Sequence, residues 1–228
     1  MTASAIDIEL WVWPIDGGED EARRYDGILS AGEIARANRF LNPAHGHAFR
    51  IAHGRLRMLL ADRIGVAPAS LVFLTGKHGK PSLDGVNGLA FNLSHSGSLA
   101  ALAIADGCDI GCDIEEVREV KEDVAERFFS AEEVAQLRAL PADHQNDAFF
   151  RCWTRKEAVV KALGDGLSMP LDRFTVDILA DHERDLVRCF EADSTRLWRL
   201  APFLPAAGYH GAVAARTDGR ALRIVRRT

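Results

Sequence analysis

Apolar side chains alternate at Ile6, Ile8, Leu10 and Val12, the period of a half-buried strand, which Pro14 stops. Ser30 and Glu33 fit a capping box and open a helix running through Ile34 towards Phe40. After the break at Asn42-Pro43, Phe49, Ala52, Leu56, Leu59, Leu60 and Ile64 recur at helical spacing until Gly65. An apolar strand over 71–74 leads into a loop, 75–84, rich in glycine and cations. Runs 89–93 and 99–105 predict two buried strands joined by the turn Ser94-His95-Ser96-Gly97, with Asp106-Gly107 a second turn. Residues 109–115 are strand-like. Ser130 and Glu133 make another capping box, whose helix runs to Leu140 and stops at Pro141. A longer helix is predicted from about Asp147 to Leu163, closed by Gly164. The remainder alternates at period two over 174–178, 186–190, 197–200, 209–215 and 222–225. The pattern is α+β, with antiparallel strands and helices on one side.

Ala101-Leu102-Ala103 before Asp106-Gly107 is echoed by Ala212-Val213-Ala214 before Asp218-Gly219. The echo suggests two related lobes, 1–107 and 108–228, with a cleft between them. A chain of 228 residues with 47% hydrophobic content has room for such a core. A net charge of −5 argues against phosphate-tracking nucleic-acid binding but leaves room for a local basic patch. Cys108, Cys112, Cys152 and Cys189 form no disulfide framework and no C-x2-C pair. No run approaches the ~18 apolar residues of a membrane span, and the start, with Asp7 and Glu9, lacks signal-peptide features. A cytoplasmic protein is expected.

Four segments carry candidate chemistry. Asp113 and Glu115 are two apart on a strand, so both carboxylates share one face. Like charges so placed repel unless a cation sits between them, and a hard oxygen-liking dication such as Mg²⁺ fits. The alternative is a solvated strand end, since Glu116 follows. Trp153, Glu157 and Lys161 are four apart in succession and share a helical face. Glu before Lys at this spacing also makes an ordinary surface ion pair, but the apolar neighbours Val159, Val160, Ala162 and Leu163 argue for burial. The loop Thr75-Gly76-Lys77-His78-Gly79-Lys80-Pro81 crowds cations around glycines that admit close approach, which suits a phosphate as well as a solvated hairpin tip. In Phe91 to Gly97, His95 and Ser94 are candidate phosphate donors or plain turn-stabilising groups. With no G-x-S-x-G elbow, they do not form a hydrolase pair. Arg36, in the first capped helix, is a further cation.

The order HGKPSL, FNLSHSG, GCDIE, RFFSAEE and WTRKEAVVKALGDGL resembles the 4′-phosphopantetheinyl transferase family, in its long, two-lobed type. The likeness runs from Arg36 to Leu171. It implies two similar α/β lobes with pseudo-twofold symmetry, antiparallel sheets packed on helices, and an active site between lobes. The first lobe would supply coenzyme A phosphate-binding loops and the second the carboxylates and the Glu/Lys helix. The implied reaction moves phosphopantetheine from coenzyme A to a carrier-protein serine and releases adenosine 3′,5′-bisphosphate. By motif, Asp113, Glu115 and Glu157 would bind Mg²⁺, while Lys161, His95, Lys77, Lys80, Ser94 and Arg36 would hold coenzyme A. Glu157 would be the base and Lys161 the acid, with Asp113 a rival base. Glu133 matches a family glutamate, although its capping role suffices to explain it.

Two departures stand out: Cys112 replaces a branched aliphatic residue, and Gly46 to Arg50 lacks a clear arginine register, leaving Arg50 or His47 as substitutes. Docking of an acidic carrier domain from a polyketide synthase, peptide synthetase or fatty-acid synthase is expected at Phe128, Phe129 and Arg127. A monomer is the simplest expectation. A non-catalytic coenzyme A- or carrier-binding module and a Mg²⁺-dependent phosphohydrolase are the alternatives.

Overall fold

The computed structural model describes residues 5–76, 79–120, 123–164, 170–179, 184–185 and 198–228. The predicted strand over 186–190 lies outside them.

The first strand, β1 (Ile6–Pro14), is followed by α1 (Glu19–Arg23), α2 (Ala31–Ala37), α3 (Pro43–Ile64) and a 3₁₀ turn at Pro68–Ser70. Next come β2 (Phe73–Thr75), β3 (Pro81–Leu83), β4 (Leu89–Ser96), β5 (Leu99–Asp106) and β6 (Ile110–Glu116). Then follow α4 (Val124–Phe128), α5 (Ala131–Arg138), α6 (Ala142–Leu163), β7 (Arg184–Asp185), β8 (Trp198–Phe203), β9 (Tyr209–Arg216) and β10 (Leu222–Arg227). Both capping boxes form, at Ser30/Glu33 and Ser130/Glu133. Asn42 caps α3 with Pro43 in its first turn, and Gly65 ends it at φ 74°. Among the described residues no helix is long and apolar enough to cross a membrane.

Two four-stranded sheets carry the fold, ordered β10-β1-β5-β4 and β6-β9-β8-β7. Pairing is antiparallel except for β1 with β10, where the chain's last strand returns to lie parallel to its first. Residues 222–227 therefore belong to the sheet of the first half. The Ala-rich echo falls on β5 and β9, each an inner strand. Strands buried on both faces read as continuous apolar runs, and these two divide their residues between layers. Leu102 and Ile104 of β5 face Ile51, Leu56 and Leu60 of α3. Ala101 and Ala103 face the second sheet with Ile8, Leu10, Ile114 and Val213. Ala212 and Ala214 of β9 turn to α6 and its Ala158 and Val159. The layers are thus helix, sheet, sheet, helix, so the helices lie on both outer faces and not on one side as expected. The first layer needs α3 wholly apolar only along one stripe, which is where its periodic residues fall.

Other differences have local causes. Helix α6 begins five residues earlier than its apolar period, because its first turn is polar and exposed and invisible to a hydrophobic pattern. α1 and α4, five residues each, are too short to show a period. The loop over 75–84 contains β3, which pairs with β2 in a hairpin. The alternating residues Phe174, Val176 and Ile178 are buried, yet they form no extended ladder. Their backbone is instead held by side chains. The Phe174 carbonyl accepts from Lys156 Nζ (2.6 Å), the Val176 N–H donates to Glu133 Oε1 (2.7 Å), and the Asp177 carbonyl accepts from Arg155. With those groups paired, the segment needs no partner strand.

Candidate active site

β4 and β6 are each an outer strand of a sheet, and they run alongside one another. No backbone ladder joins them. Alternate side chains of β4 take the amides of β6: Asn92 Oδ1 accepts from Cys112 N (2.7 Å), Ser94 Oγ from Ile114 N (3.3 Å), and Ser96 Oγ from Glu116 N (3.1 Å). The polar motif in the sequence is therefore a seam between the two sheets, and period-two alternation along β4 sets its register.

The seam also aims the carboxylates. Ser94 Oγ donates to Asp113 Oδ1 (2.9 Å) and Ser96 Oγ to Glu115 Oε2 (2.6 Å). α6 crosses the same face of β6 at Gly111, where an added Cβ would strike the backbone at Ala158, Lys161 and Ala162. Glycine lets helix and strand backbones touch, and that contact brings Lys161 onto Asp113. Lys161 Nζ lies 2.6 Å from Asp113 Oδ1 and 3.0 Å from Ser94 Oγ. Asp113 Oδ2, also buried, has no partner.

The electrostatics follow from this crowding. Burial, then the charges of Asp113 and Glu115, push the Glu157 carboxyl above its ordinary range. Burial likewise raises Asp113, only partly offset by Lys161. Burial opposes the Lys161 ammonium, but the charge and hydrogen bond of Asp113 outweigh it, so its pKa ends high. Asp113 with Lys161 is thus a partly buried ion pair beside a carboxyl that binds protons more readily than usual.

Among the described residues no group of three or more His, Cys, Asp or Glu side chains is set to hold a metal ion. Asp113 answers instead to the Lys161 ammonium, and Glu115 to Ser96 and to Arg118 at 3.3 Å. The donor chemistry nevertheless fits a hard dication. All three carboxylates are oxygen donors, one buried oxygen is orphaned, and burial, followed by the carboxylates' mutual repulsion, raises two pKa values.

A row of cations borders the pair. His95, exposed at the strand end, has a pKa lowered by partial desolvation, then by His53, Lys161 and Arg36. Arg36 lies over the Phe49 ring at 5.1 Å, and His53 stacks on that ring at 3.9 Å. Arg36, His95 and Lys161 were anticipated; His53 was not. The signal was present, since Phe49, His53 and Arg57 are four apart on α3. The residues anticipated there, Arg50 and His47, lie elsewhere. Arg50 bonds Asp26 and Asn38, both at 2.7 Å, and with His47 lines a small separate pocket behind α2.

Lys80 is near the site but donates to the carbonyls of Ile110 (3.0 Å) and Ala162 (2.9 Å), tying the start of β6 to the end of α6. Burial lowers its pKa. Ser94 is fully engaged within the seam. Lys77 lies outside the described residues. Trp153 shares the helix face of Glu157 but stacks on Phe149 at 5.7 Å within an aromatic cluster. Phe129 is buried in that cluster at 3% exposure, so it offers no docking surface; Phe128 is half-buried, with Arg127 over its ring.

Comparison with known proteins gives this geometry its setting. The chain is 40% identical over 173 residues to the 4′-phosphopantetheinyl transferase HetI of Nostoc sp. (strain PCC 7120), covering 74% of this chain and 73% of the relative. The chain belongs to the 4′-phosphopantetheinyl transferase superfamily. The superfamily's sequence model matches residues 109–214. A 4′-phosphopantetheinyl transferase of Bacillus subtilis is 34% identical over 190 residues, 79% of this chain and 84% of that one. Sfp of Bacillus subtilis (strain 168) is 31% identical over 163 residues, 72% of each. The part matched as 4′-phosphopantetheinyl transferase contains β6, which carries Asp113, and α6, which carries Glu157 and Lys161.

Glu33 supports the first-half edge of this candidate site. It caps α2, faces His53 Nδ1 at 3.4 Å and pairs with buried Arg57 at 2.8 Å. Burial works against its charge, but His53, Arg57 and Ser30 overcome it and lower the pKa from 4.5 to about 2. A lowered folded-state pKa adds stability that is complete above the unfolded value and disappears as pH falls through the folded one. Discounted for the partial exposure of its carboxylate, Glu33 is expected to contribute about 1–2 kcal/mol above pH 4.5, lost towards pH 2. Denaturant titrations across that range should show a shallower acid limb for Glu33→Gln than for the unaltered protein.

Proposed function

We propose that this protein transfers 4′-phosphopantetheine from coenzyme A to a serine hydroxyl of an acyl- or peptidyl-carrier protein domain. The observation that carries the reading is the Lys161–Asp113 pair, packed under Glu157 where α6 crosses β6, in a chain of this superfamily. In the reaction a serine oxygen forms a bond to phosphorus while a pyrophosphate P–O bond breaks, releasing adenosine 3′,5′-bisphosphate. Negative charge grows on the departing phosphate, and a fixed ammonium nearby stabilises it without reorganising. Lys161, with its pKa held high, stays charged and can give its proton to the leaving oxygen. Glu157, with its pKa raised, is suited to take the proton of the serine hydroxyl, directly or through water. Asp113 holds the Lys161 ammonium in position.

Asp113, Glu115 and Glu157 would hold Mg²⁺. Bound there, it would neutralise charge on the pyrophosphate oxygens. Arg36, His95 and Lys161 are assigned to coenzyme A phosphates, with Lys77 and Lys80 assisting. Residues 1–107 and 108–228 are read as lobes around this site, with β10 of the second returning to the sheet of the first, in a monomer acting in the cytoplasm on domains of polyketide synthases, peptide synthetases or fatty-acid synthases.

The test incubates the protein with coenzyme A, Mg²⁺ and an apo carrier domain and weighs the carrier by mass spectrometry. The expected result is a gain of one phosphopantetheine group on the carrier serine. Bisphosphate release without an acceptor would instead indicate a phosphohydrolase. Coenzyme A binding with no product would indicate a non-catalytic module. Lys161→Ala is expected to slow transfer by about 10²-fold or more, the scale of removing one fixed charge-stabilising donor.

A further inference from the structure

Asp147, Arg151 and Arg155 are four apart on α6, offset by two residues from Trp153, Glu157 and Lys161. At about 100° per residue the two sets lie roughly 200° apart around the helix axis. A cavity of about 620 Å³ opens over the first set, walled by α6, by the facing ends of β8 and β9 and by β10. Glu157 and Lys161 do not line it. We propose that this cavity binds an organic anion, a carboxylate carried on an apolar acyl or aromatic body. The inference does not depend on the transferase reading.

The lining is of two kinds. Phe203 and Leu204, where β8 ends, give it apolar surface. Gly211 of β9 lets the Phe203 ring lie directly on the strand, since an added Cβ would strike that ring. Leu204 is left 61% exposed at the rim. The charged part is three arginines, Arg151 and Arg155 from α6 and Arg226 from β10. Among the described residues lining the cavity, Asp147 is the one carboxylate set against them. In a chain of net charge −5 this is a local excess of positive charge beside apolar surface.

Asp147 does not cancel that excess. Its Oδ1 lies 2.7 Å from His210 Nε2, and its Oδ2 accepts from Arg151 at 3.1 Å. Burial opposes its charge, but His210 and Arg151 outweigh burial and lower its pKa, so one carboxylate stays ionised and shared between two partners. Arg155 is 3% exposed and donates to the Asp177 carbonyl, while Arg226 reaches the Leu204 carbonyl at 3.2 Å. A guanidinium presents its donors in a plane that matches a carboxylate, and in partly apolar surroundings it attracts an anion more strongly than in water. Cavities of this size, mostly apolar with a few fixed polar groups, suit small organic ligands. An inorganic ion would leave the apolar surface uncovered, and a neutral apolar molecule would gain nothing from the guanidinium charge.

The experiment titrates the full chain calorimetrically with octanoate and with 2-naphthoate, using octan-1-ol and inorganic phosphate as controls, with neither coenzyme A nor carrier present. At least one of the carboxylates is expected to bind saturably at a single site, about tenfold or more tighter than either control. Arg226→Gln should weaken that binding about fivefold, the size of one partly exposed charge contact. Leu204→Asp should weaken it about tenfold or more, because it removes apolar surface and adds a like charge. Both side chains are exposed, so neither substitution should move the thermal transition. No saturable binding of either carboxylate, equal binding of octan-1-ol or phosphate, or an affinity unmoved by one of the two substitutions overturns the proposal. Failure here leaves the transferase reading standing, and absence of transfer leaves this site standing.

Discussion

Glu157→Ala is expected to lower kcat for carrier modification by about 10²- to 10⁴-fold, the range associated with losing a positioned acid or base. Of the site's carboxyls it combines two properties. Its pKa is raised by burial and by the charges of Asp113 and Glu115, so it accepts a proton more readily than an exposed glutamate. It also has no part in the seam hydrogen bonds that occupy Asp113 and Glu115. Alanine at this half-buried position of α6 keeps the helix, since alanine is the best helix former. The loss should therefore appear in kcat with an unchanged thermal transition. Glu157→Gln sharpens the result, because it keeps the size and removes the charge. Turnover by Glu157→Gln equal to that of the unaltered protein would exclude Glu157 as proton acceptor. Asp113 would then be left as the candidate base, and Asp113→Asn the variant that stops transfer.

The parts of this site that were readable in the sequence are those whose chemistry and spacing coincide. Two residues apart on a strand means one face, and four apart on a helix means one face, so Asp113 with Glu115 and Glu157 with Lys161 were visible as pairs. That the pairs meet depends on β6 and α6 crossing, and the only sign of it was Gly111, whose missing Cβ admits the helix backbone. A lone glycine inside a strand has several explanations, so the crossing could not be deduced. The seam was misread for a related reason. The sequence suggests a turn at Ser94 and Ser96 and a phosphate contact at Ser94, because local sequence shows which groups can bond, not which distant amides need them. Their partners lie twenty residues away on another sheet. In the sequence His53 is overshadowed by the arginine nearby. Arg50 has the stronger charge, but Asp26 and Asn38 hold it at a separate pocket.

Lys156→Ala is expected to destabilise the fold by about 3–5 kcal/mol, the cost of leaving one partner of a buried ion pair uncompensated. Lys156 and Glu133 are both fully buried, 2.8 Å apart. All three ammonium protons have acceptors: Glu133 Oε2, the Leu171 carbonyl at 2.8 Å and the Phe174 carbonyl at 2.6 Å. Glu133 in turn accepts from the Ser130 and Val176 amides. One substitution therefore exposes a carboxylate and two carbonyls to an apolar interior. A chain of this size loses about 2–4 °C of Tm per kcal/mol, which places the drop at roughly 10 °C. Calorimetry of Lys156→Ala, Glu133→Leu and the double variant separates the pair from its surroundings. A coupling of about 1–3 kcal/mol is expected, with the double variant less destabilised than the sum of the singles, because each single leaves the other charge stranded. Additive losses would mean that the two residues act on Leu171, Phe174 and Val176 independently. Adjacent to Glu157 in sequence, Lys156 points the opposite way from the reaction, fastening α6 to the segment beyond it so that its other face can carry the chemistry.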